Sequence, residues 1–172
     1  MKKRLVIFLS ALIFIVFSAQ AVEKVSEERL DEVAKQGAHI MPFSLEHTLH
    51  IFSKTGDGGL QQVIAKDSSD IEQITLICEH LSQISQEFRQ GDFSQPAEIH
   101  GKDMPGLVEL RKAHPDQINI VYQELPNGAE IKYSANDTKM IEAIHKWFDA
   151  QLSDHARHAV PEHQHHHESQ QP

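Results

Sequence analysis

The chain has 172 residues, with 16 Lys and Arg against 25 Asp and Glu, a formal net charge of −9 with histidine neutral, 13 histidines and one cysteine. That balance excludes the basic face a nucleic acid needs and disfavours anionic membrane surfaces. A lone Cys78 cannot make an intrachain disulfide, and the length suits about one domain.

The start, MKKRLVIFLSALIFIVFSAQA, joins a basic cluster (Lys2, Lys3, Arg4) to an apolar run from Leu5 to Phe17 and small residues at Ala19 and Ala21. The run is shorter than the roughly 20 residues of a membrane-spanning helix, and the order is that of a secretory signal cut after Ala21. The expectation is an exported, periplasmic or secreted protein that meets the membrane only transiently, through residues 1–21. Cleavage leaves 151 residues and removes three positive charges, for a net charge of −12. Residues 22–37, VEKVSEERLDEVAKQG, predict a charged N-terminal helix that stops at Gly37. Residues 38–160 then predict an α+β domain.

Within it, His47 to Asp67 holds two β-rich runs around Gly56-Asp57-Gly58-Gly59, a hairpin signal. DSSDIEQITLICEHLSQISQEFRQGD follows. Its residues Ile71, Ile74, Ile77, Cys78, Leu81, Ile84 and Phe88 recur at helical spacing, Asp67 or one of the two serines serves as cap, and Gly91 is the stop. Cys78 then reads as a small buried hydrophobe on that stripe. DFSQPAEIHGKDMPGLVELRKAHPDQ reads as loop with a short helix from Pro105 to Lys112 capped by Asp103. A second hairpin comes next, with Ile118, Ile120 and Tyr122 set against Ile131 and Tyr133 around Pro126-Asn127-Gly128. A helix capped by Asn136 or Asp137 closes the domain. The order is ββα-α-ββα, and an echo of IEQI (71–74) in IEAI (141–144) suggests a duplication. An antiparallel sheet with both long helices on one face is the simplest solution. Residues 161–172 are low-complexity and read as a disordered His-rich tail.

Six of the histidines fall between Gln151 and Pro172. Continued past Leu152, the apolar stripe of the last helix meets Asp154, His155 and His158, which places two imidazoles and a carboxylate toward the interior at i, i+3 and i, i+4 spacing. Imidazole and carboxylate together suit Zn²⁺, Cu²⁺ or Ni²⁺, and a helix C-terminus favours a cation. His50, His100 and His145 are the possible partners from a cleft. His163, His165, His166 and His167 form an accessory cluster that binds such ions by composition. His80 lies far from its helix's stripe and reads as solvated. Nucleotide loops and the nucleophile elbow are absent, since TGDGG sits between strands rather than before a helix, and the reading leans away from an enzyme.

The phrases MPFSLEHTLHIFSKTGDGGLQQVIAKD, IHGKDMPGL and IHKWFDAQLSDH resemble a family of small exported bacterial proteins without an established activity. The likeness runs from His39 to about His155. Members are sometimes called aspartate carbamoyltransferases, but no Ser-Thr-Arg-Thr phosphate loop occurs here. After Ala21 the chain has only Arg29, Arg89, Arg111 and Arg157 to hold phosphate and carboxylate groups. The resemblance implies a recurring domain and transfers no site residues. The resulting expectation is an exported protein that binds a divalent transition metal through histidines as buffer, carrier or sensor. The alternatives are a non-catalytic module for a small molecule or protein partner, or a small His/Asp enzyme.

Overall fold

The computed structural model describes residues 25–161; residues 1–21, His163, His165, His166 and His167 lie outside the described residues. The first helix, α1 (Glu27–Ile40), is capped by Ser26, whose side chain accepts from the Arg29 amide. It runs through Gly37 instead of stopping there. A Cβ at Gly37 would stand 2.6 Å from the Met41 methyl, so glycine makes room for Met41 to fold back on the helix.

After a 3₁₀ turn (Leu45–His47), β1 (Thr48–Thr55) and β2 (Gly58–Ala65) form the expected hairpin. α2 (Ile71–Arg89) is capped by Asp70, which accepts from the Gln73 amide, and not by Asp67 or the serines; Asp67 binds Ser69 in the preceding turn. The far end closes as the sequence implies. Gly91, at φ 80°, donates to Phe88 O while Asp92 donates to Glu87 O, a Schellman arrangement.

The stretch read as loop folds into α3 (Ser94–His100), and α4 is only Leu107–Leu110. Gly106, not Asp103, precedes α4, at φ 79°, pressed so tightly on the last helix that a Cβ would meet Ala143 O at 2.2 Å. β3 (Asn119–Leu125) and β4 (Gly128–Ser134) pair with Ile120 opposite Tyr133 and Tyr122 opposite Ile131. α5 (Thr138–Asp154) starts at Asp137 and ends four residues earlier than expected, and β5 (Ala159–Val160) follows.

The class is α+β, an open sheet of order β3-β4-β2-β1-β5. It is mixed and not wholly antiparallel, because β5 runs parallel to β1. Each hairpin places its second strand at the junction, β2 against β4, but two helices, α3 and α4, connect the halves and β5 is added, so the expected ββα-α-ββα order holds only in part.

Alternation along the strands points Phe52, Val63, Ile131 and Tyr133 to one face. There α2 presents Ile77, Leu81, Ile84 and Phe88, while α5 presents Ile144, Trp147 and Phe148. Ile71, first in the expected stripe, is exposed, since it precedes the part of α2 that reaches the sheet. Tyr133 stands edge-on to Trp147 at 5.4 Å and to Phe148 at 5.7 Å. Such pairs add about 0.5–1.5 kcal/mol each beyond area burial. Gly59 lets α5 sit this close, as a Cβ there would lie 2.4 Å from the Phe148 ring. Among the described residues no helix is long and apolar enough to cross a membrane.

Gly106 therefore carries a sharp expectation. Gly106→Ala is strained by its positive φ and blocked by the α5 backbone, and should cost well over about 1 kcal/mol in urea unfolding. Gly56→Ala, with nothing within 4 Å of the added Cβ, should stay within about 0.5 kcal/mol of the parent.

Candidate functional site

Strand parity puts His50 on the inner face beside Phe52, their rings nearly parallel with centroids 6.4 Å apart. α5 ends at Asp154. The chain then turns through residues 155–158, where His158 donates its amide to His155 O (2.7 Å), and returns to the sheet edge. There the His50 amide donates to His158 O at 2.9 Å and β5 begins. His155 and His158 thus lie on a turn and not on a continuing helix, yet both are buried because the turn is folded under by its pairing with β1. His100 arrives from a third direction, as the last residue of α3. That helix starts on an Asp92 side chain that accepts from the Ser94 amide, and it is stopped by Gly101 at φ 92°.

Three imidazoles meet. His50 and His155 lie parallel within 2° at 5.3 Å between centroids, and His100 stands edge-on to His155 at 4.8 Å. They are 3%, 6% and 6% exposed. Behind His100, its Nδ1 lies 2.8 Å from Asp154 Oδ2. The same carboxylate accepts from Arg29 Nη2 (2.7 Å) and Nε (3.3 Å), and Arg29 Nη2 also donates to His100 O (2.8 Å). A carboxylate holding Nδ1–H fixes the tautomer and leaves Nε2 of His100 with its lone pair free, as either a base or a ligand.

The imidazoles form one wall of a cavity of about 50 Å³. Its other walls carry the amides Gln61, Gln95 and Gln151, the rings of Phe52, Phe88 and Trp147, and aliphatic residues including Met41, Ile84 and Ile99. His80, expected in solvent, lines it too, because α2 is rotated enough to set that ring edge-on to Phe43 at 5.6 Å. Three buried polar atoms on residues of this lining have no hydrogen-bond partner: His50 Nδ1, Trp147 Nε1 and Gln151 Oε1. Gln61, by contrast, is held, its Oε1 accepting from Tyr133 OH at 2.7 Å. The lining contains no Ser, Thr, Cys or Lys.

The remaining expected site residues lie elsewhere. His158 faces away, with Nε2 3.3 Å from Glu46 Oε1, and shares a void of about 10 Å³ with Leu30 and Ala34. His145 is a structural link, its Nε2 within 3.0 Å of both Thr55 O and Gly58 O, so it ties α5 to the first hairpin and stays out of the cluster. Met104 is buried beneath α4, and Cys78 packs on β4 with its thiol on Gly128 O at 3.1 Å, pushed up from its ordinary pKa by burial. Among the described residues no group of three or more His, Cys, Asp or Glu side chains is placed to hold a metal ion. Arg29 and His80, which complete the site, have no marker in the sequence that sets them apart from other charged or polar helix positions. Compared with protein-family models, with curated proteins and with solved structures, the chain matches none.

Electrostatics keep His50 and His155 uncharged. Burial, aided by the neighbouring His158, His80 and His100, pushes His50 down to about 3, and burial with the adjacent His50 and His100 pushes His155 well below its ordinary value. Burial works to raise Asp154, but its hydrogen bonds and charge contacts with His100 and Arg29 outweigh it and hold the carboxyl below the usual range. In the unfolded chain both histidines take up protons near pH 6.5, so below that value, and for His50 down to about 3, the unfolded state binds more protons than the folded one. The neutral layer's contribution is thus fully present above about pH 6.5 and is lost as pH falls. Urea unfolding should show stability falling from pH 7 to pH 5, by about 2 kcal/mol from His50, with His155 acting in the same direction. A flat profile over that range would remove the neutral-imidazole assignment.

Proposed function

We propose that this is an exported protein that binds a divalent late first-row transition metal, Zn²⁺, Cu²⁺ or Ni²⁺, through histidines, as a buffer, carrier or sensor. The observation that carries the reading is the meeting of His50, His100 and His155, with Asp154 behind His100. Neutral imidazole is the ligating form, and burial keeps His50 and His155 in it; a carboxylate on Nδ1 orients the third ring. The cavity beside the rings gives them room to turn, and loading requires such a turn, since the donor atoms do not surround a common point as they stand. Export would place the site where ions are exchanged with the surroundings, with His163, His165, His166 and His167 as an accessory scavenger.

The test uses the full chain with the four tail histidines replaced by serine. That variant should bind one equivalent of at least one of the three ions with Kd below about 100 µM, and His100→Ala should weaken binding by about tenfold or more. Loss of all measurable affinity with the tail serines in place would leave only the tail as a binder and end the proposal for the folded site.

A further inference from the structure

The imidazole wall accounts for one side of the cavity. The opposite side is unexplained, and its chemistry is specific. Trp147 Nε1–H can only donate, and Gln151 Oε1 can only accept. Both belong to side chains at or below 5% exposure, and both are unpartnered. Leaving such groups unpaired costs about 1–3 kcal/mol each, so the lining is built for a polar occupant. Gln61 lines the same cavity with its oxygen already taken by Tyr133. His50 Nδ1, also unpartnered, adds a second acceptor in the tautomer protonated at Nε2. These orphaned groups sit among apolar and aromatic walls, Gln95 and the imidazoles of His80, His100 and His155, with no Asp, Glu, Lys or Arg in the lining. An ionic guest would find no counter-charge and would lose its hydration.

Size narrows the class. A dry cavity of about 150 Å³ takes benzene, so about 50 Å³ takes roughly two or three heavy atoms. The geometry points to a primary carboxamide, free or as the head of a larger molecule, as the guest of this cavity. Its carbonyl oxygen accepts from Trp147 Nε1–H, and its NH₂ has two hydrogens for Gln151 Oε1 and His50 Nδ1. Ile40, His80 and Gln95 stand between the cavity and a surface depression of about 470 Å³, the side from which a guest would enter. This assignment rests on the orphaned atoms of the cavity with its imidazoles free of metal.

Formamide is the probe, added to the full chain after chelator treatment. Trp147 is the chain's one tryptophan, so a single indole N–H resonance reports on the cavity. Formamide should move that resonance along a saturable curve with a dissociation constant on the order of millimolar, the range a three-atom ligand can reach. Formate and ammonium at equal concentrations should leave it in place. Gln151→Met should weaken formamide about fivefold to tenfold and leave thermal stability equal or higher, because it removes a buried unpaired acceptor. A shift that stays linear in formamide, or that formate or ammonium reproduces, shows that the cavity takes water only and overturns the assignment. The wild-type titration decides this even if the variant fails to fold. Because no metal is present, failure of the metal reading leaves the outcome unchanged.

Discussion

Three helices that are distant in sequence are held by one carboxylate. Asp154, at the end of α5, binds Arg29 of α1 and His100 of α3, and Arg29 in turn closes on the backbone of His100. Such charge-assisted bonds are stronger than neutral ones, and here they are half-shielded from water, where a broken partner is expensive. Removing the carboxylate would free the guanidinium and release His100 from its tautomer together. The position of the imidazole layer relative to the sheet therefore depends on this node more than on any single apolar contact.

The core shows why that layer is unusual. On the inner face of the sheet the rows end in rings at one end, Phe52, Tyr133, Phe148 and Trp147, and in imidazoles and amides at the other. The aromatic end supplies packing, and the polar end replaces apolar volume with groups that need partners. Its residues are buried at a cost that any cavity occupant reduces, whether water, amide or a metal's ligand shell. Under β3 and β4 the core is closed by Ile120, Ile131 and Tyr133 with Ile77, Leu81, Ile84 and Phe88 of α2. The fold is thus divided into a stabilising half and a polar half within one layer.

Much of the architecture was legible from periodicity and turn chemistry. Both hairpins and both long helices follow from alternation, Gly-rich turns and 3.6-residue spacing, since those patterns express burial directly. What escaped was decided by contacts distant in sequence. β5 is two residues long and exists because β1 offers an open edge, so nothing in Ala159-Val160 marks it. α3 was hidden by Pro96 and by a lack of apolar repeats, although Asp92 before Ser94 was a usable start signal. The candidate site was half legible. His155 and Asp154 were found by extending the stripe of α5, and the inward face of His50 stayed open because both faces of β1 carry apolar side chains. His80 and Arg29 needed the packing angles of α2 and α1, which no local pattern encodes.

The clasp between the two ends of the domain has a further consequence. Arg157 reaches Glu27 and Asp31 on α1, while Arg29 reaches Asp154, so the opening and closing segments are stitched together directly over the imidazoles. Unravelling that begins at either end must first undo the same stitches. A protease trimming α1 and one trimming past Val160 would therefore lay bare the same interior surface, and intactness of both ends becomes a condition for keeping that surface dry.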